Sequence, residues 1–417
     1  MTASENKFSE GEHRLPLEGI RVLDLSIYQF GSKATSMLGS LGAEIIKLEA
    51  REGGDPGRSV QEIRGISMRL PKNRSLFYEV FNCNKKSLAI DLKKPEGREI
   101  VYRLVEKSDV FVQNLRKGVV ERLGLDYPTL SKYNPRLIYA SGSGFGSQGP
   151  DANKPAMDYL GIARSGIMFT SRGTEQPPET FQGGFSDQIG AMFLAYAIMV
   201  ALIARERLGI GQEIEVSLLG SMIALQELPV TLTLYSGLPY PGQIREKSCN
   251  PLWNHYQCKG GKWLAFGHFQ SDRWWPAFCR ATGLQHLEND PRFCNQVARE
   301  QNNEELINIL DQVFSSKNCD EWVQILDSED LIYTVINTLD CLADDPQVIA
   351  NQYIVELDHP TAGKLKMVAS PFKLSKTPAP AVENWAPELG ENTTEVLIEI
   401  AGFFQEDISR FKASEVI

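Results

Sequence analysis

The stretch IRVLDLSIYQFGSKATSMLGSLGAEIIKLE (residues 20–49) decides the fold. Its opening run, 20–25, and its closing run, 44–49, are short and rich in β-branched and aliphatic residues, as strands are. The segment 33–41 between them reads as a helix. The same alternation continues outward. A strand is expected at 87–92, a helix at 95–107 with Pro95 in its first turn, a strand at 109–113, a helix at 119–123 and a strand at 137–141. Repeated β-α-β units imply an α/β fold with a mainly parallel, doubly wound, Rossmann-like sheet, whose ligands sit beyond the carboxyl ends of the strands.

The second half reads differently. A helix is expected at 188–207, stopped by Gly209 and Gly211, then a strand at 213–217 and a helix at 218–236. The run GLPYPG at 237–242 looks like a linker. Residues 245–345 hold most of the tryptophans and the strand signal 263–266, so a smaller α+β domain is expected there. The division is therefore a large domain at 15–220, a linker helix and loop at 221–244, the small domain at 245–345 and a return linker at 346–379. Helix returns in the tail at 385–417.

The 417 residues carry a net charge of -10, which argues against nucleic acid as a partner, because that binding neutralises phosphates with Lys and Arg. The N-terminus is polar and lacks a signal-peptide core. The most apolar run, 189–204, is shorter than a membrane span and contains Gly190 and Tyr196, so no membrane association is expected. Seven scattered cysteines suit reduced thiols in a cytoplasm. Cys249, His255 and Cys258 match no zinc spacing, so no metal is expected.

Three motifs bear on chemistry. The glycine-rich run SGSGFGSQGP (141–150) follows a strand but continues into Pro150, Asp151 and Pro155 where a dinucleotide loop would open a helix. Ser143 lacks the G-x-S-x-G frame of a nucleophile elbow. The run FNCNKKS (81–87) is either a solvated turn or an anionic pocket for a phosphorylated nucleotide. In GGFSDQIGAM (183–192), Asp187 either caps the following helix or does chemistry.

Several segments in order resemble the class III coenzyme A transferases, the family of formyl-CoA transferase and the crotonobetainyl-CoA and benzylsuccinate CoA-transferases. They are LEGIRVLDLSIYQFG (17–31), LGAEIIKLEAREGGDPGR (41–58), FNCNKKSLAIDLKKPEGR (81–98), QNLRKGVVERLGLDY (113–127), NPRLIYASGSGFGSQGP (134–150), GGFSDQIGAM (183–192), GIGQEIEVSLLGSM (209–222), HPTAGKLK (359–366) and APELGENTTEVL (386–397). The resemblance implies that Asp187 is a nucleophile that takes an acyl group as an anhydride and CoA as a thioester, before passing CoA to an acceptor acid. Helix N–H groups and the helix dipole are expected to keep Asp187 ionised at neutral pH. Gln29 falls where the family has an active-site glutamine, implied either to donate to oxyanions or to orient the carboxylate. Asp158 is either active-site support or the cap of a helix starting near Tyr159.

CoA is implied to lie against the turn with Asn82, Asn84, Lys85 and Lys86, the run Gln113, Asn114 and Leu115, Arg122 and the loop from Lys154 to Met157, with Arg51 following Ala50 where some relatives place an arginine. No permanently bound cofactor is implied; coenzyme A or acyl-CoA is the substrate. The resemblance also implies that residues 380–417 complete the large domain, and that the protein works as an interlocked homodimer or as a heteromer with a related subunit.

Two rivals come with the same fold: a 2-methylacyl-CoA racemase and a CoA-binding subunit without catalysis. Racemase-like relatives place His before the acid at 158, and Met157 cannot exchange a proton. Formyl-CoA transferase carries a glycine-rich loop early in its second domain, whereas residues 245–256 here contain no glycine. That difference points to a mid-sized or aromatic acceptor such as an aryl-succinate, with succinyl-CoA as candidate donor. Trp253, His255, Trp274 and Trp275 either line that pocket or pack the small domain.

Overall fold

The computed structural model describes residues 15–378 and 382–417. The chain divides into two compact units, one running to Gly166 and resuming over Phe181–Leu228 and Ile349–Ile417, the other made of Ile167–Thr180 and Pro229–Val348.

Six strands form the central sheet of the first unit: β1 (Arg21–Leu25), β2 (Glu44–Ala50), β3 (Lys85–Ile90), β4 (Val110–Gln113), β5 (Ile138–Ser143) and β6 (Gln212–Ser217). Their spatial order is β6-β5-β4-β1-β2-β3 and every pairing is parallel. The order reverses between β4 and β1, the topological switch point at which open α/β sheets leave a crevice. Around the sheet run α1 (Phe30–Ser40), α2 (Pro95–Val105), the short α3 (Asp158–Arg164) and α4 (Phe185–Leu208).

Strand pleating sends alternate residues to opposite faces, and each face has its own core. On one face Val22, Ile45, Val110, Val112 and Ile138 meet α1 and the Ala191, Leu194, Ile198 and Leu202 stripe of α4. On the other, Leu23, Ile46, Leu88 and Phe111 meet Ile100 and Leu104 of α2 together with Val396, Leu397, Phe403, Ile408 and Phe411 of the tail. Each large aliphatic side chain buried this way contributes roughly 1.5–3 kcal/mol. The tail is less helical than expected, with regular turns only at Thr393–Ile400 and Gln405–Ala413.

Helix α4 is longer than its apolar core suggests. It is long and apolar enough to cross a membrane by length and composition, yet one stripe of it is buried on the sheet. Its other side exposes Met192, Phe193, Tyr196, Val200 and Ile203. The helix expected at 218–236 is two, Leu218–Leu225 and Glu227–Ser236. Pro229 has no N–H to give the Leu225 carbonyl, so the helix cannot run through. The expected return linker contains an antiparallel hairpin, Ile354–His359 with Gly363–Val368.

The second unit has a three-stranded antiparallel sheet, His255–Gln257, Trp263–Phe266 and Tyr333–Ile336. Trp275 belongs to its core, with Trp322 and Phe278, and Trp274 packs partly buried against that core. Trp253 is half-exposed and meets Phe269 edge-on. The glycine-free segment is pinned by Arg245, whose guanidinium makes two 2.8 Å bonds to the Asp311 carboxylate and one of 3.2 Å to the His255 carbonyl.

A charged cluster lies inside the first unit. The Lys85 ammonium sits 2.8 Å from Asp24, and the Lys47 ammonium 4.0 Å from Asp24 and 2.8 Å from Asp55, with all three strand side chains at 0% exposure. Burial alone would raise the Asp24 carboxyl, but the two lysines hold it well below the usual range. Burial pushes Lys85 down to about 8, against the pull of Asp24. Lys85, taken from the sequence as a CoA contact, is thus an internal ion joining β3 to β1.

Removing one partner of such a cluster strands the other charge. Lys85→Met is expected to cost about 3–5 kcal/mol in urea unfolding. The neighbouring Lys86, one-third exposed and paired with Glu44 and Glu395, is expected to cost under about 1 kcal/mol when changed to Met.

Candidate active site

A cavity of about 840 Å³ opens at the carboxyl ends of β1, β4 and β5. Its wall includes the turn Ile27 to Phe30, the Gln113 to Lys117 segment, Lys154 to Met157 and Asp187. The turn after β1 is shaped by side chains that take its backbone groups. Ile27 N donates to Asn114 Oδ1 at 2.8 Å, and Asn114 Nδ2 donates to the Ile27 carbonyl at 2.9 Å. Asn114 is therefore at the cavity, but its amide is committed to the chain.

Gln29 flanks the N-terminus of α1, and its Oε1 lies 3.4 Å from Gln188 Nε2. A Cβ on Gly184 would come within 2.4 Å of that same oxygen, and Gly184 has a left-handed φ of 77°. Gly184 is thus required twice, by its own backbone and by the Gln29 side chain.

Asp187 is the third residue of α4. It does not cap the helix. Its own N–H donates to Asp158 Oδ1 at 3.1 Å, and Ser186 N donates to the same oxygen at 2.7 Å. Asp158 opens α3, so the capping role expected of it is real but serves a different helix: it satisfies the unpaired amides of α4. The Ser186 hydroxyl adds 2.7 Å and 3.0 Å contacts to the Asp158 carbonyl and Oδ1.

The electrostatics correct another expectation. Asp187 is pushed up to about 7, first by burial and then by the negative charge of Asp158. A position in the first turn favours the anion by less than these two effects disfavour it. Near neutrality this carboxyl is divided between acid and carboxylate, the state expected of a group at a chemically active position.

Gln29, Gln113, Asn114, Leu115, the loop from Lys154 to Met157 and Asp187 line the one cavity, and Asp158 bonds to the backbone at its edge. The remaining candidates do not line it. Asn82 is buried, donating to the Tyr78 carbonyl and accepting from Lys85. Asn84 accepts from Glu383 N and Asn384 N at 2.8 Å each. Asn84, Lys85 and Lys86 lie at the amino end of β3, around a different hollow of about 850 Å³. Arg51 is drawn to Glu52 and Glu415, each at 3.5 Å. Arg122 extends toward Gly118, where an added Cβ would lie 3.1 Å from Nη1.

The cavity also has two cations that were not singled out, Arg116 and Lys117, beside Lys154 of the loop that was. Arg116 Nε donates to the Asn153 carbonyl at 3.0 Å and Lys117 Nζ to the Ser147 carbonyl at 2.9 Å. Lys154 pairs with Asp151 at 2.6 Å. The signal was available, since Arg116 and Lys117 directly follow a strand's carboxyl end in QNLRKG (113–118). Among the described residues no group of three His, Cys, Asp or Glu side chains is placed to hold a metal.

The sequence profile of CoA-transferase family III matches residues 17–393. A succinyl-CoA–D-citramalate CoA-transferase of Chloroflexus aurantiacus is 31% identical over 96% of this chain and 98% of its own length. An (R)-2-hydroxy-4-methylpentanoate CoA-transferase of Clostridioides difficile is 29% identical over 96% and 99% respectively. The crystal structure of a CAIB/BAIF family protein from Brucella suis superposes with a TM-score of 0.80 and 26% identity, covering 93% of this chain and 100% of that one.

The raised Asp187 group has a stability consequence. The folded protein binds more protons there than the unfolded chain between pH about 4 and about 7, so this group's contribution to stability falls as pH rises through that window. Asp187→Asn is expected to melt higher than the parent at pH 8 and to lose that advantage at pH 4, as measured by thermal unfolding at both.

Proposed function

Because the chain belongs to CoA-transferase family III and so moves CoA from an acyl-CoA to a carboxylic acid, we propose that Asp187 is its nucleophile. The observation that carries this is a half-buried carboxyl poised at about 7, at the capped start of α4 and in one cavity with Gln29.

Asp187 attacks the thioester carbonyl, the C–S bond breaks, and CoA leaves as a thiolate while the acyl group stays on Asp187 as a mixed anhydride. The thiolate then attacks the aspartyl carbonyl, releasing the donor acid and leaving an aspartyl-CoA thioester. An acceptor carboxylate attacks that thioester, expelling CoA thiolate and leaving a second anhydride between Asp187 and the acceptor. The thiolate finally takes the acceptor acyl group and frees Asp187. Gln188 engages the oxygen of Gln29, which leaves the Gln29 amide N–H for the tetrahedral oxyanions. Asp158 holds the α4 amides and raises the basicity of Asp187. Arg116, Lys117 and Lys154 supply positive charge for the CoA phosphates.

The acceptor on this reading is a mid-sized or aromatic acid such as an aryl-succinate, with succinyl-CoA as donor. The glycine-free run 245–256, where formyl-CoA transferase carries a glycine-rich loop, supports an acid other than formate or oxalate, and the two relatives named above act on D-citramalate and (R)-2-hydroxy-4-methylpentanoate. The apolar outer side of α4 supports a dimer, and seven free cysteines suit a reducing cytoplasm.

Asp187→Ala is expected to abolish transfer while CoA still binds, and hydroxylamine to trap an aspartyl adduct in the parent alone; undiminished turnover in the variant would sink the mechanism. Attack needs the carboxylate, whose fraction grows as pH rises through about 7. Accordingly kcat/KM should climb about tenfold per pH unit below that value and level off above it. A panel of carboxylates with succinyl-CoA tests the acceptor, and use of formate or oxalate alone rejects it.

A further inference from the structure

The run GGDPGR (53–58) was part of the family resemblance but has no place in the chemistry so far. In the structure Asp55 is 3% exposed and reaches three elements. Its Oδ2 sits 2.8 Å from the Lys47 ammonium on β2, and its Oδ1 accepts from Gly57 N at 2.8 Å and from Tyr28 N at 3.1 Å. The segment is itself fixed, because Arg58 makes bonds of 2.8 and 2.7 Å to Glu49 and Asp55 N donates to Glu49 at 3.0 Å.

Tyr28 is the point of interest. Its φ is 57°, a left-handed conformation that costs a bulky residue roughly 1–2 kcal/mol and persists only when surroundings enforce it. The amides before it are held by Asp24 at Ser26 and by Asn114 at Ile27. Asp55 holds the third consecutive amide, and the next residue is Gln29. Without that bond Tyr28 is free to relax to negative φ, which would swing the Gln29 side chain away from Gly184 and Gln188, the residues flanking Asp187.

We propose that Asp55 is a positioning residue: clamped by Lys47, it locks Tyr28 in the left-handed conformation so that the Gln29 amide stays aimed at the reacting carbonyl. This rests on the reading of Gln29 as the oxyanion donor. It does not make Asp55 catalytic, since its carboxylate touches only protein groups.

The test is a double-mutant cycle on the full-length enzyme with Asp55→Asn and Gln29→Ala, reading kcat, KM for acyl-CoA and the rate of hydroxylamine-trapped adduct. Misplacement of about 1 Å is enough for a large loss, so Asp55→Asn is expected to lower kcat and adduct formation by about tenfold or more with KM changed less than about twofold. In the Gln29→Ala background the same change should cost nothing further. An equal loss in both backgrounds overturns the proposal and makes Asp55 merely structural, and so does an unchanged kcat for Asp55→Asn. If Gln29→Ala is silent while Asp55→Asn is not, the proposal and the oxyanion reading both fall, whereas the role of Asp187 stands. Asp55→Glu keeps a charge for Lys47 but shifts the carboxylate, and it carries the same comparison should Asp55→Asn fail to fold.

Discussion

The dry pairing of Asp24 with Lys47 and Lys85 is the constraint on which the first unit depends. It joins the carboxyl end of β1, the middle of β2 and the amino end of β3 with charge where neighbouring positions use aliphatic contacts. The lysines have further bonds, Lys47 to the Ser26 carbonyl and Lys85 to the Ser32 carbonyl, both at 2.8 Å. A buried ion pair adds little net stability over well-packed hydrophobic residues. What this cluster supplies is direction, because ammonium groups fix where the chain turns as it leaves β1, and that turn carries Gln29.

The site itself is built on two short loops and one long helix. Gly184 permits Gln29 to approach, Asp158 accepts from the Ser186 and Asp187 amides, and among the described residues no donor bonds to the Asp187 carboxyl. Its raised proton affinity follows first from burial and then from the charge of that neighbouring carboxylate. A true capping aspartate accepts N–H bonds and is acidified by them; here another carboxylate occupies that role and adds its own charge beside Asp187.

Much of this was legible in the chain, and the rest was hidden for physical reasons. The runs at 20–25, 44–49 and 137–141 announced strands through their Ile, Val and Leu residues, although Asp24, Lys47 and Glu49 interrupt them with charge that the fold buries. Asp187, Gln29 and Asp158 were found through a resemblance carried by motifs. The partner of each was not, since the amide capped by Asp158 is 28 residues away and the charge met by Lys85 is 61 away. A sequence shows that Lys85 and Lys86 are cationic neighbours. Only the fold shows that one points inward to Asp24 and the other sideways to Glu44. Strand pleating alone separates them.

The tail packed beneath β3 has a consequence for how the protein is made. Val396, Leu397 and Phe411 fill the same core as Leu88 and Leu104, and Asn392 bonds to Ser87 across 305 residues of chain. During synthesis the sheet must wait, one face uncovered, while the whole of Pro229–Val348 is translated. The later-encoded unit can fold before the earlier-encoded one is complete. Such long-range closure is slow. Until it occurs Ile46, Leu88 and Phe111 are covered only in part, by Ile100 and Leu104 of α2, and the rest of that face stays open to solvent.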